Sequence, residues 1–217
     1  GSSFDANETL ELTNRRQHSV LFAAPTMVKN LVSAVKEGKE NHFRLIIYGG
    51  GPMYLADCKD AIAQFGPEKL VQLYGQGESP MTITSLGPEI HGALDDPAWE
   101  TRISSVGTAQ SLVQVKIAND GGDQLTNGDV GEVLVKGPTV MSGYLNNPVE
   151  TQRAIRHGWL HTGDLGTMDE DGCVSILDRK KDIILSAGYN VYPAEIERVL
   201  AAHPAVALVA VGKLPDP

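Results

Sequence analysis

Between residues 19 and 86 the sequence alternates apolar runs of strand length with apolar residues at helical spacing, and this alternation restricts the fold more than any other feature. "SVLFAAP" is a buried strand, "TMVKNLVSAVKEG" a helix ended by Gly38, "RLIIYGG" a strand, "MYLADCKDAIAQFG" a helix ended by Gly66, and "KLVQLYG" a further strand. Strand, helix, strand, helix, strand predicts βαβ units on a parallel sheet. Ligands of such sheets gather beyond the carboxyl ends of the strands, where "GGGP" (49–52) and "GQGE" (75–78) both fall.

The pattern then changes. Pro88, Gly92, Asp95, Asp96 and Pro97 give residues 87–102 a loop composition that closes the first layer. Beyond it "RISSVGT", "LVQVKIAN", "GEVLVKG", "LHTGDLGTM" and "CVSILD" are short β-rich runs separated by "DGGD", "TNGD" and "DEDG". Hairpins of this kind predict a small antiparallel β-barrel over residues 103–178, interrupted by one short helix in "NNPVETQRAI". After the charged stretch 179–182, "IILSAG", a helix in "PAEIERVLAAHP" with Pro193 in its first turn and Ile196, Val199 and Leu200 on one face, and a strand in "AVALVAVG" begin a third unit. That unit, 183–217, has too few elements for a full core, so the chain reads as cut off within it. The expected fold is therefore α/β: a parallel-sheet portion (1–102), the barrel (103–178) and the start of an α+β unit.

Charge narrows the partners. Eighteen Lys and Arg against 27 Asp and Glu, a formal charge of -9, argue against nucleic acid, which needs a basic face. Cys58 and Cys173 have no Cys or His at ligand spacing and read as reduced thiols of a cytoplasmic protein. "VLFAAPTMV" and "VALVAVG" are far too short to cross a bilayer, and no secretory leader opens the chain. His157 and His161 flank Trp159 without a third ligand and read as surface or polar-core residues. "DEDG" and "DGGD" lack the alternating oxygen ligands of a calcium loop and read as hairpin turns. Thr162-Gly163-Asp164 is by itself a tight turn, although an Asp there could accept both hydrogens of a diol.

Taken in order, "GGGPM", "YGQGE", "HTGDLG" and "LDRKKDIILSAGYNVYPAEIE" resemble the signature series of the adenylate-forming enzymes: acyl-CoA synthetases, luciferases and peptide-synthetase adenylation domains. The resemblance covers nearly the whole chain and implies a large domain followed by a lid. It implies that Gly49, Gly50, Gly51 and Pro52 lie against an adenine, where a Cβ would hold the base away, and that Tyr74 stacks near it. Gly75, Gln76 and Gly77 complete the nucleotide loop, and Glu78 resembles the carboxylate on the magnesium side. Asp164 resembles the carboxylate that holds the ribose hydroxyls, with Arg179 beside it. Lys181 falls at the hinge, residues 179–182, and Gly188 at the path of the pantetheine arm.

The function so implied is ATP-dependent ligation of a carboxylic acid to coenzyme A: acid and ATP give acyl-AMP and pyrophosphate on Mg2+, and the CoA thiol then displaces AMP. "GYNVYPAEIE" favours the acyl- or aryl-CoA branch, with a fatty, aromatic or cyclic acid as substrate. A carrier-linked adenylation module is the alternative enzyme, and a noncatalytic nucleotide- or acyl-binding module the alternative outside catalysis. Three departures bear on these readings. Gly77 stands where the family usually has Thr, no "TGxPKG"-like phosphate loop precedes residue 40, and the lysine near the end of the lid is missing. The 217 residues alone are therefore expected to be inactive.

Overall fold

The computed structural model describes residues 4–186, 189–201, 203, 205–206 and 209–213. Its contacts divide the chain into two compact units, residues 1–110 and 111–217.

Unit 1 runs α1 (Ala6–Arg15), β1 (Ser19–Ala23), α2 (Pro25–Lys36), β2 (Phe43–Gly49), α3 (Leu55–Phe65), a short 3-10 turn (Pro67–Lys69), β3 (Leu70–Gln76), β4 (Ser79–Leu86), α4 (Pro88–His91), α5 (Trp99–Ile103) and β5 (Thr108–Ala109). The strands form one sheet in chain order, β1 through β5. The pairs β1–β2 and β2–β3 are parallel, as the alternation predicts. The pairs β3–β4 and β4–β5 are antiparallel, and β4 was not legible because "SPMTITSL" has too few large apolar residues to show a period. "RISSVGT" is a correction: Arg102 and Ile103 end α5, and only Thr108 and Ala109 form a strand, which joins this sheet.

Local chemistry sets the helix ends. Asp5 caps α1, its Oδ1 accepting the Glu8 N–H at 2.9 Å, and Pro25 occupies the first turn of α2. Gly66 ends α3 with φ +88°, a left-handed angle that favours glycine. The fully buried Val28 and Leu31 of α2 and Cys58 and Ala61 of α3 meet Phe43 and Ile46 in one core, where Phe43 and Phe65 pack edge to face. Burial pushes the Cys58 thiol up to about 11. Buried Tyr48 donates its hydroxyl to His91 Nε2 at 2.8 Å, while His91 Nδ1–H donates to the Gly87 carbonyl at 2.8 Å. Desolvation holds the His91 pKa below its usual value, so the ring is neutral and can both donate and accept.

Unit 2 contains β6 (Gln114–Ala118), β7 (Gly131–Lys136), α6 (Pro148–Ala154), β8 (Ile155–Arg156), β9 (Trp159–Met168), β10 (Val174–Arg179), β11 (Ile184–Ser186), β12 (Tyr189–Val191) and α7 (Pro193–Ala201). The antiparallel order is β10-β9-β7-β6, with β8 on β9. β6 and β10 are ends that do not pair, so among the described residues the expected barrel is an open five-stranded sheet. Alternation and hairpin turns specify neighbouring strands, whereas closure depends on tilt and shear, which no local pattern encodes. Residues 131–135 of β7 are all buried, placing this strand at the centre. β11 and β12 form a hairpin, and α7 packs on β10, with Asp178 Oδ2 accepting the Ala194 N–H at 3.0 Å. The strand expected in "AVALVAVG" is not formed by its described residues. No helix among the described residues is long and apolar enough to cross a membrane.

Candidate functional site

In unit 1 the predicted Gly-rich segments share one edge of the sheet. β2 and β3 run parallel with Gly49 opposite Leu73, so "GGGP" and "GQGE" leave the sheet at the same end. A Cβ on Gly49 would lie 2.2 Å from the Leu73 carbonyl oxygen, and one on Gly75 would lie 2.2 Å from the Met81 nitrogen. These two glycines are thus required by the strands themselves, whatever else their backbone meets. Gly50 (φ +80°), Gly51 and Pro52 are exposed and form the part of the loop open to a ligand.

Gly77 and Glu78 form a two-residue turn between β3 and β4, flanked by the pair Gln76 and Ser79. Between this pair and Tyr74–Thr84, Gly75 alone on β3 spans Pro80, Met81, Thr82 and Ile83 on β4. The resulting bulge carries Met81 at φ +53°, and the Gln110 amide pins it by donating to the Met81 and Thr84 carbonyls at 2.9 and 3.1 Å. Tyr74, Gln76 and Glu78 are half-buried. Gly77 is exposed, and nothing lies within 4 Å of where its Cβ would stand, so the local backbone leaves room for a side chain. Sequence reasoning missed Met81 and Gln110, since neither belongs to a motif.

In unit 2 the structure brings Asp164 and Arg179 together. They are register partners on β9 and β10, and Arg179 Nε lies 2.7 Å from Asp164 Oδ1. Asp164 lies within β9, not in a turn between strands, which corrects that expectation. Val133 alone on β7 spans Thr162, Gly163 and Asp164 on β9, a bulge with Gly163 at φ +70°. The Thr162 hydroxyl donates to the Val133 carbonyl at 2.8 Å and accepts the Asp164 N–H at 3.1 Å. Asp164 is 4% exposed, so its carboxylate sits in a setting of reduced dielectric where a cation and hydroxyl donors count for more than in water.

Behind the bulge lies a group the motifs did not reveal. Buried Glu132 accepts the Gly163 N–H on Oε1 at 3.0 Å, while its Oε2 lies 3.2 Å from His161 Nδ1 and 3.3 Å from Lys180 Nζ. Burial pulls the Glu132 carboxyl upward, but hydrogen bonds from His161 and the Gly163 N–H, with the Lys180 charge, outweigh it and hold the group below its usual value. Lys180 is pushed upward by its hydrogen bond to Asp120, at 2.6 Å, against a desolvation cost and with help from Glu132. His161 Nδ1 also lies 2.7 Å from Arg156 Nη2. A guanidinium only donates, so the ring nitrogen can accept from Arg156 or donate to Glu132, one at a time. Lys181 is exposed in the 179–182 turn, closed by the Asp182 N–H on the Arg179 carbonyl at 2.9 Å. Gly188 lies outside the described residues.

Residues 1–145 match the family profile of the AMP-binding enzymes, and the chain belongs to that family. The adenylate-forming resemblance is thereby borne out. A medium/long-chain fatty-acid–CoA ligase of Mycobacterium tuberculosis is 37% identical over 99% of this chain and 37% of its own length. A 2-succinylbenzoate–CoA ligase of Geobacillus kaustophilus is 36% identical over 94% of the chain and 40% of its own length. Among solved structures, O-succinylbenzoate coenzyme A synthetase from Bacillus subtilis in complex with AMP superposes with a TM-score of 0.84 at 33% identity, over all of this chain and 42% of that one. The amide bond synthetase McbA from Marinactinospora thermotolerans gives 0.87 at 35% identity, over all of this chain and 43% of that one. The chain thus spans about two-fifths of the length of the relatives it matches.

Proposed function

We propose that the protein carrying this chain is an AMP-forming carboxylate–CoA ligase acting on a fatty, aromatic or cyclic acid. The observation that carries the reading is the 2.7 Å pair of Asp164, buried on the β9 bulge, with Arg179 of β10, in a chain of the AMP-binding family. A carboxylate accepts at both oxygens, which suits the two hydroxyls of a ribose, and the Arg179 contact holds it turned. The exposed Gly50–Pro52 backbone and the Tyr74 ring would flank the adenine, with Gln76 and Gly77 on the phosphate side. Glu78, half-buried in its turn, would supply one hard oxygen ligand to Mg2+, which usually takes one or two carboxylates plus phosphate oxygens. When bound, the ion would neutralise phosphate charge as pyrophosphate leaves. Lys181, exposed in its turn, can absorb the backbone rotation of a lid between adenylation and thiol attack, and Gly188 would border the pantetheine path.

The test is acid-dependent exchange between ATP and pyrophosphate by the full-length protein across a panel of carboxylates, followed by thioester detection with CoA. Exchange with thioester supports the ligase and identifies its acid, whereas the 217-residue piece alone is expected to give neither. Exchange without thioester moves the acceptor to a carrier-bound pantetheine or an amine, the latter in keeping with the 35% identity to an amide bond synthetase. Nucleotide binding without exchange favours the noncatalytic module, for which Gly77 in place of a hydroxyl residue is the one supporting feature. Gly77→Thr is then the first substitution to test for restored exchange.

A further inference from the structure

Glu132 stands 31 residues from Gly163 and 48 from Lys180 in sequence, yet its two oxygens serve both. Gly163 is held at each side of its φ +70° backbone: its N–H by Glu132 Oε1, its carbonyl by the Lys180 N–H at 2.8 Å. The Lys180 side chain returns to Glu132 Oε2 and to Asp120, so one lysine touches the bulge through its backbone and the carboxylate through its ammonium. A buried carboxylate is costly unless paired, and the partners of Glu132 given above lie on β9, at the bulge or directly before it, or on the link that follows β10.

We propose that Glu132 is a positioning residue that fixes the Gly163 bulge on which Asp164 is aimed and, through Lys180, ties that bulge to the start of the 179–182 link. The ribose and hinge roles of Asp164 and Lys181 rest on the ligase reading; the tether itself rests on the contacts. Loosening Glu132 therefore does two things at once: Asp164 loses its aim, and the link gains freedom. A glutamine at 132 retains an oxygen for the Gly163 N–H but gives up the ion pair with Lys180, whereas alanine removes both.

The experiment uses the full-length protein, with ATP–pyrophosphate exchange kinetics and limited trypsin cleavage at Arg179, Lys180 and Lys181. For E132A the expected result is a KM for ATP raised about tenfold with kcat changed less than about twofold, because the ribose contact is misaimed and not removed. Cleavage at the link is expected to rise about tenfold in both E132A and E132Q, since local opening exposes it. K180M is expected to raise KM in the same direction, K180R to restore it, and E132A/K180M to be no worse than E132A, the non-additivity of a shared path. A lower Tm with unchanged KM and cleavage overturns the proposal, as does strict additivity with K180M inert. If E132A does not fold, E132Q decides by the same readouts. A wild-type protein that neither exchanges nor binds ATP overturns the ligase reading and the ribose half, while the trypsin arm still decides the tether: faster cleavage in E132Q supports it and unchanged cleavage overturns it.

Discussion

Both units place a carboxylate beside a bulge in an antiparallel ladder, and they hold that bulge by different means. In unit 1 Gly75 faces Pro80 to Ile83, and close backbone packing, Gly49 on the Leu73 carbonyl and Gly75 on Met81, joins the Gln110 amide in keeping the shape. In unit 2 Val133 faces Thr162 to Asp164, and the shape is kept by side chains: Thr162, Glu132 and Lys180. The difference teaches where tolerance should lie. Backbone contacts leave no room for even one carbon at two glycines, whereas losing a member of a polar network loosens the bulge without a steric clash.

The comparison breaks most visibly at Gly75. Gly75→Ala places a Cβ against backbone that cannot rotate away, and a loss of about 3 kcal/mol is expected in denaturant unfolding. Gly77→Ala, two residues on with nothing within 4 Å, should change stability by less than about 0.5 kcal/mol. Equal effects at both would remove the claim that the strands, and not a ligand, demand Gly75.

In unit 2 the same logic predicts a functional loss in place of a structural one. Asp164→Ala removes charge-assisted hydrogen bonds and should raise the KM for ATP about 10- to 100-fold in pyrophosphate exchange. Its partner Arg179 retains 51% side-chain exposure and can return to solvent, so the loss of stability should be modest. An unchanged KM would show that the Asp164–Arg179 pair serves the sheet and not a nucleotide.

The smallest expected effect is in the acid limb of stability. Glu132 binds protons less readily folded than unfolded, so its contribution is full above the ordinary carboxyl value of 4.5 and is lost as pH falls through the lower folded value. Lys180 has the opposite sign, contributing below 10.5 and fading as pH rises through its higher folded value. The tether is therefore complete between those limits. Urea unfolding across pH should show E132Q with a shallower acid limb than the wild type, and parallel limbs would mean that Glu132 pairs equally well unfolded.

What was legible followed from local rules. The β1-α2-β2-α3-β3 order came from apolar periods, and the Gly-rich ends of β2 and β3 came to one edge because parallel strands finish at the same side. Asp164 and Arg179 were linked by their motifs before the β9–β10 register paired them. β4 escaped notice because its sequence has no clear period, and the open sheet of unit 2 was mistaken for a barrel because closure is a property of all its strands together.

By itself, then, the sequence determined the β1-α2-β2-α3-β3 alternation, the two Gly-rich segments and the carboxylates at positions 78 and 164, because spacing, turn chemistry and side-chain type act over a few residues. Only the tertiary structure decided that Gly49 and Gly75 answer to neighbouring backbone, and that Glu132 and Lys180 meet behind the bulge. Asp120 and Lys180 lie 60 residues apart in the chain and 2.6 Å apart in space. Such a contact depends on the register of whole strands, and a one-residue slip would turn its side chains to the opposite face.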